Sequence, residues 1–254
     1  MTKKGFTLIE LLVVISIIAL LMAILMPALT KVREQARTVV CASKLRQIHI
    51  GSVAYSNDND YAFPDRGKLD ALYPHSLWDG VEEHTNLNEI FVRAYLGDSR
   101  DDIMFCPGEL RRWKDPADVS TSYNTLLCTY QYFNTPQKDY ARYRWHGYGV
   151  EGYEMPNISK STSGTDPRTA LWGCLTYGSV GKRDLMYGHD QYPGPVEGMN
   201  VVSISGVTEW VEYENFEAYW YSGGLDFYWP NPERKETNGS QRGKQPRPPR
   251  PPRG

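Results

Sequence analysis

The sequence predicts an α+β protein: a long amino-terminal α-helix, with a membrane half and an amphipathic half, packed on a mostly antiparallel β head. Three observations predict it. Residues 6–29 are an apolar run broken by one ionisable side chain, Glu10. Within residues 30–55, Cys41, Leu45, Ile48, Ser52 and Tyr55 recur at steps of four and three, the spacing of one buried stripe on a helix. Within the head, residues 56–232, short aromatic and β-branched runs alternate from about residue 61 onward with Gly, Pro, Asn and Asp, the pattern of short strands and turns.

The apolar run needs a hydrocarbon environment. At about 1.5 Å per residue it is long enough to cross the roughly 30 Å hydrocarbon core once. A secretory signal peptide is the competing reading, but its apolar region is usually about 7 to 15 residues long and ends at a small-x-small cleavage site. Here the run is longer and residues 22–27 contain no Ala-x-Ala. Lys3 and Lys4 before it and Lys31 and Arg33 after it leave orientation weakly specified by charge. A mean hydropathy of −0.53 over 254 residues excludes a polytopic membrane protein.

Glu10 is the informative residue of the run. A carboxylate inside an apolar helix costs several kcal/mol unless it finds a partner. One reading is an acid that snorkels to the membrane surface. The other is that residues 1–5 are removed, so that Phe6 becomes a new amino terminus, whose amine is mostly cationic at neutral pH. In a bundle of such helices Glu10 of one subunit then neutralises the terminal amine of a neighbour and sets the register between them.

These residues carry a resemblance. The run Lys3-Lys4-Gly5-Phe6-Thr7-Leu8-Ile9-Glu10 resembles the cleavage and methylation motif of type IV pilins and type II secretion pseudopilins. The resemblance implies a pilin-like fold and a leader at residues 1–5, cut after Gly5 by a prepilin peptidase that methylates Phe6. It places Glu10 at the assembly glutamate, and Pro27 at a proline of the apolar helix. Independently of the family, a proline there removes a backbone hydrogen bond and favours a kink or local melting, or else ends the membrane span.

After Pro27 the chain becomes polar on one side, and the stripe from Cys41 to Tyr55 is expected to pack on a sheet. Both halves together predict a rod on the order of 70 Å. The cluster Ser56-Asn57-Asp58-Asn59-Asp60 reads as a helix stop and turn. Asp58 and Asp60 are weak calcium candidates, since they lack the glycine and distal glutamate of a helix-loop-helix calcium site. Some pseudopilins hold a structural calcium, so the resemblance allows one; no other cofactor is expected. Cys41-x-x-x-Leu45-Arg46-Gln47-Ile48, then Tyr55-x-x-Asp58 and Tyr61-x-x-Pro64, are similar to a recurrent block of large pilin-like proteins. So are residues 98–107 and Ser122-Tyr123-Asn124. In the same proteins His189, Gly198 and Asn200 would belong to the ending, with Ser205-Gly206 here in place of the usual Asp-Gly.

Within the head, Met199-Asn-Val-Val-Ser-Ile-Ser205 and Val207-Thr-Glu-Trp-Val-Glu-Tyr213 form a hairpin candidate joined at Ser205-Gly206. Cys41, Cys106, Cys128 and Cys174 are candidate disulfide partners in a chain directed out of the cytoplasm, with the pairing left open. There is no Cys-x-x-Cys, and His49, His75, His84, His146 and His189 show no paired zinc spacing, so structural or unpaired thiols are expected ahead of a metal site. Gly-x-Ser-x-Gly and phosphate-cradling glycine motifs are absent, and no nucleophile and base can be nominated. The chain is therefore read as no enzyme. Aromatics crowd residues 213–221 and 226–229, either as core or as a stacking platform for sugars or for a protein partner.

The tail, residues 233–254, reads as disordered, basic and proline-rich. Its last cations, Arg242, Lys244, Arg247, Arg250 and Arg253, together with Lys3 and Lys4, mask an acidic body. Setting those seven aside from the formal net charge of −2 leaves −9. An acidic body argues against nucleic acid, which needs a basic face. The expected partners are the prepilin peptidase, other pilin-like subunits, inner-membrane assembly machinery and the lipid bilayer. The reading is thus a structural subunit of a type II secretion pseudopilus or type IV pilus-like filament, single-pass in the inner membrane with its head in the periplasm. The alternative is a singly anchored envelope protein with an aromatic, carbohydrate-binding head.

Overall fold

In the computed structural model the described residues are 7–65, 74–78, 80, 82, 85–97, 100–108, 126–133, 167–178, 188, 196–222 and 225–230. Gly5, Phe6, the tail, Ser122-Tyr123-Asn124, His84, His146 and His189 lie outside them. Helix α1, Leu8–Asp58, joins both expected halves without a break and runs on through Pro27, which neither melts nor ends it. Hydroxyls inside the helix bond back to the preceding turn, Ser16 Oγ to the Leu12 carbonyl (2.7 Å) and Thr30 Oγ1 to the Met26 carbonyl (3.1 Å). At its far end Asn59 Nδ2 donates to the Tyr55 carbonyl (2.8 Å), and the left-handed backbone of Asp60 and Tyr61 turns the chain away.

The head is built on a four-stranded antiparallel sheet in the order β3-β4-β6-β7. Its strands are β3 (Tyr130–Tyr132), β4 (Ala170–Cys174), β6 (Gly198–Ser203) and β7 (Thr208–Glu212). A three-stranded sheet, β5-β9-β8, is formed by β5 (Tyr177–Gly178), β8 (Phe216–Ser222) and β9 (Leu225–Pro230), and a two-stranded ribbon by β1 (Ser76–Trp78) and β2 (Leu126–Leu127). A π-helical segment, Asn88–Leu96, and one short turn of helix, α2 (Arg100–Ile103), lie between β1 and β2 in sequence. Strands β4 and β6 are buried along their whole length, as central strands covered on both faces must be.

The lower part of α1 packs on this sheet. Its buried positions are Cys41, Leu45, Ile48, Gly51, Ser52 and Ser56, which include the predicted stripe except for Tyr55, packed against the core but only partly buried. The helix enters the core only from Cys41 onward; Val32, Val39 and Val40 remain exposed. At the centre of the contact Trp172 stacks between Tyr132 (ring centroids 4.2 Å) and Phe91 (5.8 Å), and its indole N–H donates to Ser52 Oγ (3.1 Å). Tyr55 meets Phe91 and Tyr95 edge-on, and Tyr95 Oη donates to Asp58 Oδ2 (3.1 Å).

The predicted hairpin exists as β6 and β7, with a corrected turn. Val202 pairs with Thr208 and Met199 with Val211, so three residues, Ile204, Ser205 and Gly206, form the loop rather than two. Gly206 N–H donates to the Ser203 carbonyl and Ser203 N–H to the Val207 carbonyl, each at 2.9 Å, and Gly206 has φ +84°. This is a three-residue hairpin loop closed by a left-handed glycine. A Cβ at Gly206 would also strike the His49 ring. Gly206→Ala is therefore expected to destabilise the head by about 1–2 kcal/mol from backbone handedness, with the His49 clash in addition. Urea unfolding of the two chains side by side measures it.

Candidate functional site

The functional surface is α1 itself. Every described position from residue 7 to 29 is exposed, including Leu8 at 78% and Ile24 at 66%, and the most apolar window has a mean hydropathy of 3.0 with none of it buried. A helix apolar on all sides is stable only among lipid tails or like helices. Within this surface the first turn holds its charge through a capping box. Thr7 N–H and Thr7 Oγ1 donate to Glu10 Oε2 at 2.9 and 2.8 Å, and Glu10 N–H donates to Thr7 Oγ1 at 3.3 Å. The carboxylate also sits at the positive end of the helix dipole. Glu10 therefore has a local partner that the sequence reading missed, although Thr7-x-x-Glu10 is itself a capping-box signature.

Among the polar contacts that key α1 into the head, several tie it to the large sheet and its hairpin. Asn200 Nδ2 donates to the Thr38 carbonyl (2.9 Å), His49 Nε2 to the Ile204 carbonyl (2.8 Å), and Trp172 to Ser52 as above. Asn200 lies on β6 and Ile204 in the hairpin loop, so that hairpin is held directly against the stalk. The family-like ending of the sequence thus has a structural role in docking the helix.

The four cysteines are all buried and carry no disulfide among them. Cys128 Sγ donates to the His75 and Tyr130 carbonyls at 3.3 and 3.1 Å. The other three converge: Cys41 from α1, Cys106 from the loop after α2 and Cys174 from the end of β4 have their Sγ atoms within 4.8 Å of one another. Cys41 and Cys174 have their Sγ atoms 3.0 Å apart, and Tyr130 Oη lies 3.6 Å from Cys41 Sγ. Burial opposes ionisation of Cys41, yet hydrogen bonds from Cys106, Cys174, Asn200 and Tyr130 outweigh it and hold this thiol well below the usual range. Burial pushes Cys174 and Tyr130 well up. Asp58 and Asp60 do not join a third ligand-bearing side chain in any comparable group among the described residues. Of the crowded aromatics, Tyr213 meets Phe216 edge-on and Phe216 is buried, which is core packing.

Residues 1–26 match the family described as the prokaryotic N-terminal methylation motif. Over 71 residues, 28% of this chain and 73% of the relative, the sequence is 35% identical to the ComG operon protein 3 homolog of Bacillus licheniformis. The chain belongs to the type IV pilin-like family. No solved structure matches it. The family and the fold make this pilin-like chain a structural, non-catalytic subunit with an amino-terminal membrane and assembly helix. They imply processing by a peptidase and association with other subunits and the membrane.

Proposed function

We propose that this pilin-like chain is cut between Gly5 and Phe6 by a prepilin peptidase and methylated at Phe6. Inner-membrane machinery then assembles it with like subunits into a type II secretion pseudopilus or type IV pilus-like filament. Before assembly it is single-pass, with the head on the periplasmic side. One observation carries the reading: an unbroken helix apolar on all its faces from Leu8 to Leu29, with one acid in its first turn, emerging from a folded head. Such a helix leaves the bilayer only if equivalent helices replace the lipid around it. Pro27 contributes by omitting one backbone hydrogen bond midway, which lets the helix bend as it packs among neighbours.

Gly5→Asp tests the processing step. The peptidase must bring the backbone at the cut close to its catalytic groups, and a charged side chain on the residue before the cut obstructs that approach. The variant is expected to accumulate entirely as the longer precursor on immunoblots of membrane fractions. A mature-length band at wild-type intensity would refute the assigned cut.

A further inference from the structure

The convergence of Cys41, Cys106 and Cys174 belongs neither to the membrane helix nor to any processing step. Buried cysteines are ordinarily small apolar side chains, and Cys128, bonded to two backbone carbonyls, fits that description. The trio differs in three respects. Its members come from three separate elements, their sulfurs face one another, and a polar shell surrounds them: Tyr130 Oη on Cys41, and the ammonium of half-buried Lys44 alongside. Lys44 sits three residues after Cys41 on α1, and its Nζ donates to the carbonyl of Phe105, the neighbour of Cys106 (2.9 Å). Metal–sulfur bonds of about 2.3 Å place three thiolates around one ion at roughly 4 Å from each other. The separations here, 3.0 Å between Cys41 and Cys174 and none beyond 4.8 Å among the three, are compatible with that distance.

We infer that Cys41, Cys106 and Cys174 form a binding site for a thiophilic d10 metal ion, zinc or copper(I), which fastens the stalk helix to the head. The donor set is all sulfur, which selects soft ions over calcium or magnesium. Binding releases the thiol protons. Three thiolates around a divalent ion leave one negative charge, and around a monovalent ion two; the Lys44 ammonium offsets one of them in either case. A bound ion joins α1 to β4 and to the loop after α2, so it stabilises the folded head and not the unfolded chain. The site goes beyond the assembly role and does not depend on it.

The test uses the full chain in detergent, purified under a non-thiol reductant and dialysed against Zn²⁺ alone or, without oxygen, against Cu⁺ alone. Elemental analysis is expected to find about one ion per chain, as for structural thiolate sites. That ion should be displaced by a mercurial and abolished in Cys106→Ser, while Cys128→Ser, at an equally buried position, keeps it. Retention in one arm only identifies the ion. Cooperative thermal unfolding of metal-free Cys106→Ser shows that loss of the ion is not loss of the fold. The proposal is overturned if neither arm retains the ion, or if Cys106→Ser and Cys128→Ser retain it equally. It is also overturned if peptide mapping of the chain isolated from its own envelope finds two of the three cysteines joined as a disulfide. None of these results bears on cleavage at Gly5, so this site and the assembly reading fail separately.

Discussion

Glu10→Ala is expected to leave the chain cut and methylated while reducing its incorporation into assemblies by about a hundredfold or more. Removing one partner of a desolvated ion pair costs about 3–5 kcal/mol, because the other charge stays buried and unpaired. In a packed bundle of these helices the stranded charge is the terminal amine of the adjoining subunit. The capping box offers a competing explanation for any such defect, since Ala also removes the hydrogen bonds to Thr7. Glu10→Gln separates the two. Glutamine serves in a capping box as glutamate does but carries no charge. Charge pairing predicts that Gln fails like Ala; a purely local capping role predicts that Gln restores assembly. Quantitative blots of sheared or cross-linked assemblies against total membrane chain give the answer.

Trp172→Ala is expected to cost the head about 3–5 kcal/mol, a large share of the roughly 5–15 kcal/mol that holds a typical domain together. The indole is only 1% exposed, lies between Tyr132 and Phe91, and donates to Ser52 on α1. Its removal leaves a cavity where the stalk meets the sheet and takes from the buried Ser52 hydroxyl one hydrogen bond, leaving the one it donates to the Ile48 carbonyl. Denaturant unfolding of the detergent-solubilised chain is expected to show a midpoint shifted well down, together with faster proteolysis of the head. Trp172→Phe keeps most of the stacking and loses the hydrogen bond, so it should fall between the two. A wild-type midpoint for Trp172→Ala would mean that α1 docks by other contacts.

Much of α1 was legible because a helix repeats. The steps of four and three from Cys41 to Ser52 named the face that the sheet covers, and the Asn/Asp cluster at residues 56–60 marked where the helix stops. The predicted rod ended at Tyr55, three residues before the observed Asp58, because the Asn/Asp cluster that marks the stop begins inside the last turn of the helix. The hairpin was legible through Gly206, yet a glycine marks a turn without counting its residues, and the register moved accordingly. Beyond the β6–β7 hairpin, the order β3-β4-β6-β7 was not legible. Strands β3, β4 and β6 are short and separated by long connections, and carry too little local pattern to reveal their neighbours. The sulfur cluster was hidden for a related reason. Cys41 and Cys174 are 133 positions apart, and no short spacing announces ligands drawn from a helix, a loop and a strand. At the amino terminus the motif pointed to the chemistry, and the three-residue spacing of Thr7 and Glu10 also encodes the cap that closes the first turn.

The chemistry at the amino terminus is what separates an assembly subunit from a protein that merely sits in the membrane. Mass spectrometry of the amino-terminal peptide, from the chain isolated from its own cell envelope, decides between them. The expected peptide begins at N-methylated Phe6 and retains the whole apolar helix. A peptide that still carries Met1 to Gly5, or one that starts beyond Leu29 as a cleaved signal sequence would leave it, would contradict assembly through a processed amino terminus.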